Sequence, residues 1–285
     1  MIGFHPDMEA DVYFADPCPE PSLNQSGIPT LLKRSPYHFA FQHPRLNPYG
    51  DRDAGGERAQ YLGSAVHRLA LGRGREISEI RYPDYIHSSA REARDLAVAN
   101  GRIPILSREL VKARDMAEIV RREIAEALDG APYETEVVII WMEDTSWGPI
   151  WCRGMLDVWC PSKLIALDPK CLRIAATAEA FGKTAADSGY DIQASFYSRG
   201  LATLTQSAGV KFANLVVESA PPHGAQSFAP DASARIIADE WVNQAIQLFA
   251  RCLYTRQWPS YPAGVQSYTT PSWYQQALAN RIEEI

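Results

Sequence analysis

Three side chains in the middle of the chain could do chemistry together. Asp157 lies in the run IWCRGMLDVWC (150–160), and Asp168 and Lys170 lie in KLIALDPKCL (163–172). Residues two apart on a strand project from one face, so a strand there points Asp168 and Lys170 to the same side. A hairpin between the two runs would set Asp157 beside them. Two carboxylates with an ammonium next to them suit a hard divalent cation such as Mg²⁺ or Mn²⁺. A bound ion of that kind acidifies water and neutralises charge on a phosphoryl oxygen. Lys170 would orient the water or steady the developing charge. An Asp-x-Lys triplet alone is most often a surface ion pair. Its apolar company sets this one apart, because charged groups are seldom buried between LIAL and CL without a role.

The elements that must position these residues follow from pattern. TEVVIIWME (135–143) is β-branched and aromatic. With 150–160 and 163–172 it predicts three strands joined by tight turns, an antiparallel meander. A helix is expected over 191–206, a strand over 211–220, and a long helix capped by Asp231 and running to Tyr254. The stripe Ile237, Trp241, Ala245, Leu248 and Cys252 marks its buried face. Before the meander, ERAQYLGSAVHRLALG carries apolar residues at 62, 65, 66 and 69, a helical stripe that Gly72 and Gly74 end. A second helix is expected from Ser107, as N-cap, to Leu128, with Gly130 as its stop. Residues 1–21 read as an extended lead-in, and 43–57 and 173–190 as loops. Residues 75–130 read as a helical insertion, and 256–285 as an aromatic tail. The order is an α/β, or α+β, core in one domain.

Composition narrows the function classes. Of 285 residues, 46% are apolar and 22% charged, which excludes wholesale disorder. No apolar run reaches the ~18 residues of a membrane span, so no membrane partner is expected. The first residues hold acids and no basic segment, so a cytoplasmic location is expected. Five scattered cysteines without a C-x-x-C pair suggest neither a disulfide framework nor structural zinc. The net charge of −6 excludes a basic nucleic-acid coat. Locally, however, Lys33, Arg34, Arg45, Arg52, Arg58, Arg68, Arg73 and Arg75 face only Asp51, Asp53 and Glu57. Such a stretch is either a phosphate-binding surface or an ordinary solvated face.

The order of these motifs resembles the PD-(D/E)XK nuclease superfamily, and within it the RecB-like and RecE-like exonucleases, prophage exodeoxyribonuclease VIII-like proteins included. SLNQSGIPTLLKRSPYHFAF (22–41) looks like the N-terminal signature of that group. LGSAVHRLAL (62–71) matches its metal-ligand helix and CRGMLDVW (152–159) its Gly-x-x-Asp strand. IALDPK (165–170) stands where the group reads Asp-Leu-Lys-Thr, and GYDIQASFYSRGL (189–201) matches its Gln-x-x-x-Tyr helix. The resemblance spans about 22 to 276 and implies a restriction-endonuclease-like αβββαβ core, with a mixed central sheet and flanking helices.

The resemblance also implies roles. His67, Asp157, Asp168 and the Pro169 carbonyl would be metal ligands, and Lys170 would position the attacking water. Glu136 would support them, with Glu134 as the alternative. Gln193 and Tyr197, four apart on one helix face, would reach a phosphate or support Lys170. Ser26, Lys33, Arg34, Ser35 and Arg68 would bind DNA phosphate. Pro169 and Cys171 depart from the family pattern. Ser35 stands where iron–sulfur members carry a ligand cysteine, so Mg²⁺ or Mn²⁺ is expected and no Fe–S cluster. The implied activity is a metal-dependent exonuclease acting on double-stranded DNA ends in phage-type recombination. A single-strand annealing protein would be its partner, and it would form a homo-oligomer. The alternatives are a catalytically degenerate DNA-binding or assembly subunit, motivated by Pro169, and a related endonuclease or nickase.

Overall fold

The structure, a computed structural model, describes residues 1–47 and 58–283. Asp51, Arg52, Asp53 and Glu57 of the basic stretch, most of the 43–57 loop and the last two residues of the tail lie outside them.

The chain begins with β1 (Gly3–His5), α1 (Ala10–Phe14) and β2 (Leu23–Asn24). There follow α2 (Gly27–Pro29), a π-helical turn (Thr30–Arg34), α3 (Pro36–Gln42) and α4 (Arg58–Leu71). Then come β3 (Ile77–Ile80), α5 (Ser88–Ala99), β4 (Ile103–Leu106) and α6 (Ser107–Ala127). The meander is β5 (Glu134–Glu143), β6 (Ile150–Cys160) and β7 (Ile165–Leu172). The chain continues with α7 (Ala178–Ser188), α8 (Tyr190–Thr205), β8 (Lys211–Glu218), β9 (Ala225–Phe228), α9 (Ala232–Thr255) and α10 (Ser272–Glu283).

The central sheet is mixed and has the order β1-β5-β6-β7-β8-β9, with β2 added to β6. β5, β6 and β7 are antiparallel, as their short turns require, while β8 lies parallel to β7. That parallel pair needs a crossover, and α7 and α8 supply it. One face of the sheet packs on α8 and α9 through Ile139, Trp141, Phe196 and Phe249. The other packs on α4 and α6 through Val158, Leu167, Val120 and Ile124. Helices therefore cover both faces, and α4-β5-β6-β7-α8-β8 is the αβββαβ core.

Several expectations need correction. The lead-in is structured: β1 pairs antiparallel with β5, and Asp16 just beyond α1 is buried. The 75–130 segment is not purely helical, because β3 and β4 form a small parallel sheet around α5. The loop expected over 173–190 contains α7, capped by Thr177 accepting from the Ala180 N–H. Leu106, not Ser107, is the N-cap of α6. On α9 the buried face is Ala238, Val242, Ala245, Ile246, Phe249 and Cys252, and Ile237 and Trp241 are exposed. The Asp231 cap stands as expected, accepting from the Ala234 N–H at 2.8 Å.

A buried ionic knot ties the N-terminal segment to the sheet. Arg153 on β6 lies 3.3 Å from Asp16, and Asp16 also meets His43 at 3.3 Å. The Ser22 hydroxyl donates to Asp16 at 2.7 Å. Arg153 further donates to the Tyr13 and Ser22 carbonyls.

Candidate active site

The second edge of β6 is shared between two partners. β2 takes Cys152 and Arg153, and β7 takes Val158, Trp159 and Cys160. Among the described residues, 154–157 have no strand on that edge. β7 in turn leaves β6 after Leu167 and continues on β8 alone. The two strands therefore fork, with Asp157 on one prong and Asp168, Pro169 and Lys170 on the other.

The ladder phase explains Pro169. The Lys211 N–H donates to the Leu164 carbonyl at 2.8 Å, and the Ser219 N–H to the Leu172 carbonyl at 2.7 Å. Alternate residues of a strand face alternate neighbours, so even-numbered carbonyls of β7 face β8. The backbone of Pro169 faces the other way, into the fork. Proline lacks an N–H, and here no ladder partner asks for one. Its carbonyl is free to face the gap that holds Asp157.

His67 on α4 reaches the fork, with Nε2 3.2 Å from Asp157 Oδ1 and Nδ1 3.6 Å from Glu136 Oε1. The Lys170 ammonium pairs with Asp168 Oδ2. Gln193 Nε2 donates to Asp168 Oδ1 at 2.8 Å. Tyr190, the first residue of α8, lays its ring face 4.9 Å from Lys170 Nζ. Of Glu134 and Glu136, Glu136 is the one beside the fork: the pairs Thr135↔Val158 and Val137↔Leu156 bracket it with Asp157, and Glu134 is exposed.

Burial and mutual charge set the electrostatics. Burial pushes the Asp168 carboxyl up to about 6, and the like charge of Asp157 adds to it, against the opposing pull of Lys170. Burial would raise Asp157 too, but the charge and hydrogen bond of His67, with Lys170, hold it below the usual range. Burial would lower His67, and Asp157 and Glu136 more than offset that and raise it. Burial would lower Lys170 as well, and Asp168 and Asp157 keep it raised and charged. Burial raises Glu136, with the charge of His67 opposing.

His67, Glu136, Asp157, Pro169, Lys170 and Tyr190 line a cleft of about 1220 Å³, with Asp168 and Gln193 buried out of it. Its lining also includes Arg68, Arg73 and Arg75, and the N-terminal segment adds Asp7, Glu9 and Asp11. Arg73 fastens that segment by donating to the Pro6 carbonyl at 2.6 Å.

Other expected residues lie elsewhere. Tyr197 is buried and does not touch the carboxylates. A Cβ added to Gly154 would stand 2.7 Å from its ring. Tyr197 braces β6 beside Asp157, and Gly154 is what lets it lie so close. Gln193 supports Asp168 rather than Lys170. The Ser35 hydroxyl caps α3 and faces His38 at 2.6 Å. The Ser26 hydroxyl accepts from Asn24. Neither lines the cleft, nor do Lys33 and Arg34. Arg68 does, with its guanidinium on the Gly72 carbonyl and Glu76. Tyr190 and Asn214 were not expected. Tyr190 stands three before Gln193, a spacing that shares a helix face and was legible. Asn214 stands opposite Asp168 on β8, buried, with its Nδ2 unpartnered.

Among the described residues, no three His, Cys, Asp or Glu side chains converge on one point as they stand. His67 is turned onto Asp157, and Lys170 onto Asp168. The donor set nevertheless has the chemistry of a hard-cation site: two carboxylates crowded enough to raise one of them, an imidazole and an outward carbonyl. The fit is one of chemistry, not of a preformed cage.

No protein-family model and no curated protein matches the chain. Solved structures do. A crystal structure described as a "Putative exonuclease" from Eubacterium rectale aligns with a TM-score of 0.59 at 11% identity, over 96% of this chain and 98% of that one. A phage related exonuclease from Haemophilus somnus 129PT aligns with a TM-score of 0.31 at 12% identity, over 67% of this chain and 95% of that one. The first likeness shows a shared fold along nearly the whole chain.

Proposed function

We propose that the chain is a Mg²⁺- or Mn²⁺-dependent exodeoxyribonuclease that hydrolyses phosphodiester bonds from duplex DNA ends. The observation that carries this reading is the fork, where Asp157, Lys170, His67 and Glu136 line one cleft and the buried Asp168 pairs with Lys170 just behind it. Likeness of fold to the Eubacterium rectale structure, which is named as an exonuclease, supports it.

Asp157, Asp168, His67 and the Pro169 carbonyl would hold the cation, which when bound supplies an acidified water and charge neutralisation at the phosphoryl oxygen. Lys170, kept charged by both carboxylates, would hold the attacking water and steady charge on the phosphorane. Gln193 fixes the Asp168 carboxylate by its 2.8 Å hydrogen bond. Glu136 holds the far nitrogen of His67 and so orients the ring. The degenerate-subunit reading rested on Pro169, and the ladder phase removes that motive. No described helix is long and apolar enough to cross a membrane. A single-strand annealing partner and a homo-oligomer belong to the same proposal.

The test is digestion of end-labelled linear duplex beside closed circular DNA, with Mg²⁺, Mn²⁺ or EDTA. Metal-dependent loss of the linear form alone is expected. Loss of the circle would make the protein an endonuclease, and loss of neither would overturn catalysis.

A further inference from the structure

Two stretches of this acidic chain carry no acid at all. None occurs from Pro21 to Asn47, nor between Glu240 and Glu283. The fold brings them together. The Tyr37 N–H donates to the Pro259 carbonyl at 3.1 Å, Phe39 stacks on Trp258 at 5.8 Å, and His38 meets Tyr261 at 5.2 Å. Outside that buried contact, three large rings face solvent: Tyr37 is 53% exposed, Phe41 51% and Tyr261 60%. Tyr37 and Phe41 are four apart on α3 and share a face. Lys33 and Arg34, in the turn just before, are exposed, and no carboxylate among the described residues pairs with either.

One contact leads from the turn that carries Lys33 and Arg34 toward the cleft. Pro29, at the start of that turn, lies 3.5 Å from where a Gly189 side chain would be. The next residue, Tyr190, lays its ring on Lys170. Clustered exposed rings are uncommon on a monomer's surface and mark contact sites. An apolar protein partner would leave two unpaired cations at the rim of its contact. A nucleic-acid strand uses both parts, because bases stack on rings and phosphates take the cations. A duplex hides its base faces, so only a single strand can use the rings.

We infer that the surface formed by Tyr37, Phe41 and Tyr261 with Lys33 and Arg34 is a binding platform for single-stranded nucleic acid. The inference rests on the proposed function for its biological sense, but its binding test does not require cleavage.

The test is fluorescence anisotropy of a labelled oligothymidylate and of a blunt duplex, in EDTA, over a salt series. Wild type is compared with Tyr37→Ala/Phe41→Ala, Tyr261→Ala and Lys33→Ala/Arg34→Ala. Each ring removed should weaken single-strand binding by about tenfold and leave duplex binding unchanged. The Lys33→Ala/Arg34→Ala variant should flatten the slope of log affinity against log salt by about 1.4. These side chains are exposed, so an unaltered circular dichroism spectrum is expected. Single-strand affinity equal to wild type in the aromatic variants overturns the inference. A change in sedimentation mass without a change in affinity also overturns it and makes the patch a contact between chains. If the wild-type protein fails to digest DNA in Mg²⁺ yet shows this binding pattern, the catalytic reading falls and the platform stands.

Discussion

Glu136 and Asp157 are bracketed together by the β5–β6 pairs Thr135↔Val158 and Val137↔Leu156, and Glu136 is the only residue of β5 with a left-handed backbone, at φ 52°. The register is the same on both sides, so no residue is inserted, but Glu136 and Asp157 do not themselves pair. A Cβ in that region costs about 1–2 kcal/mol, and such strain concentrates at functional sites. Glu136→Gly should therefore not lose the roughly 1 kcal/mol that glycine usually costs inside an element, while cleavage falls by about tenfold or more as His67 loses its orienting carboxylate. Chemical denaturation and initial rates check this. A destabilised variant with full activity would make Glu136 a structural residue.

The metal proposal has a readout independent of cleavage. Mg²⁺ or Mn²⁺ should raise the melting temperature at pH 7.5, by the equivalent of about 2.7 kcal/mol at a hundredfold excess over Kd. The carboxyl of Asp168 is raised to about 6, so near pH 5 it is largely protonated and the shift should shrink. Asp157→Ala should remove the shift and abolish cleavage while the circular dichroism spectrum is kept. An equal shift in that variant would place the cation elsewhere.

Pro169→Ala restores an N–H that points into the fork. No ladder bond is gained, and the unfolded chain becomes more flexible, so stability should fall by about 0.4–1 kcal/mol. Activity should change little, since the carbonyl remains. A gain in stability would mean that the missing N–H had a partner after all.

Asp16 makes the fold acid-sensitive. Burial alone would raise its carboxyl, but His43, Arg153 and Ser22 outweigh burial and hold it below the ordinary 3.8. The unfolded state takes the proton first as pH falls. The stabilisation is thus fully present above the unfolded value and is lost as pH drops through the folded one. Asp16→Ala leaves Arg153 buried and unpaired, at a cost of about 3–5 kcal/mol near neutrality. Urea titration from pH 7 to 3 should show the gap between the two proteins closing at the acid end.

Gly154→Ala would press a methyl group into the Tyr197 ring at 2.7 Å. Overpacking of this kind costs about 1–3 kcal/mol. The cost should be smaller in a Tyr197→Leu background, which a double-mutant cycle would show as strong non-additivity.

The meander was legible because β5, β6 and β7 are β-branched runs bounded by turn residues, and their ends agree with the pattern within two residues. The fork was not, since it depends on where β2 joins β6, more than a hundred residues away in sequence. α7 was missed because its alanines and glycine give a weak stripe. The face of α9 was misjudged because the helix carries apolar residues on several sides, with Ile236 and Ile237 both exposed. Of the residues that meet at the fork, Asp157, Asp168 and Lys170 were readable from type and spacing, and His67 only through the resemblance of its helix. The choice of Glu136 over Glu134 needed the β5–β6 register, and Tyr197 needed the neighbouring Gly154 to show that it braces a strand.

The pairing of β1 with β5 and of β2 with β6 has a consequence for synthesis. Phe4 waits for Ile139, and Leu23 for Cys152. At ~5–20 residues per second, the first two strands leave the ribosome roughly ten seconds before their partners exist. The N-terminal part of the cleft lining and the strand that bounds the fork therefore cannot close until β5 and β6 have been made. Long-range closures of this kind are slow. A bulky fusion at the N-terminus should delay the appearance of activity more than the appearance of secondary structure.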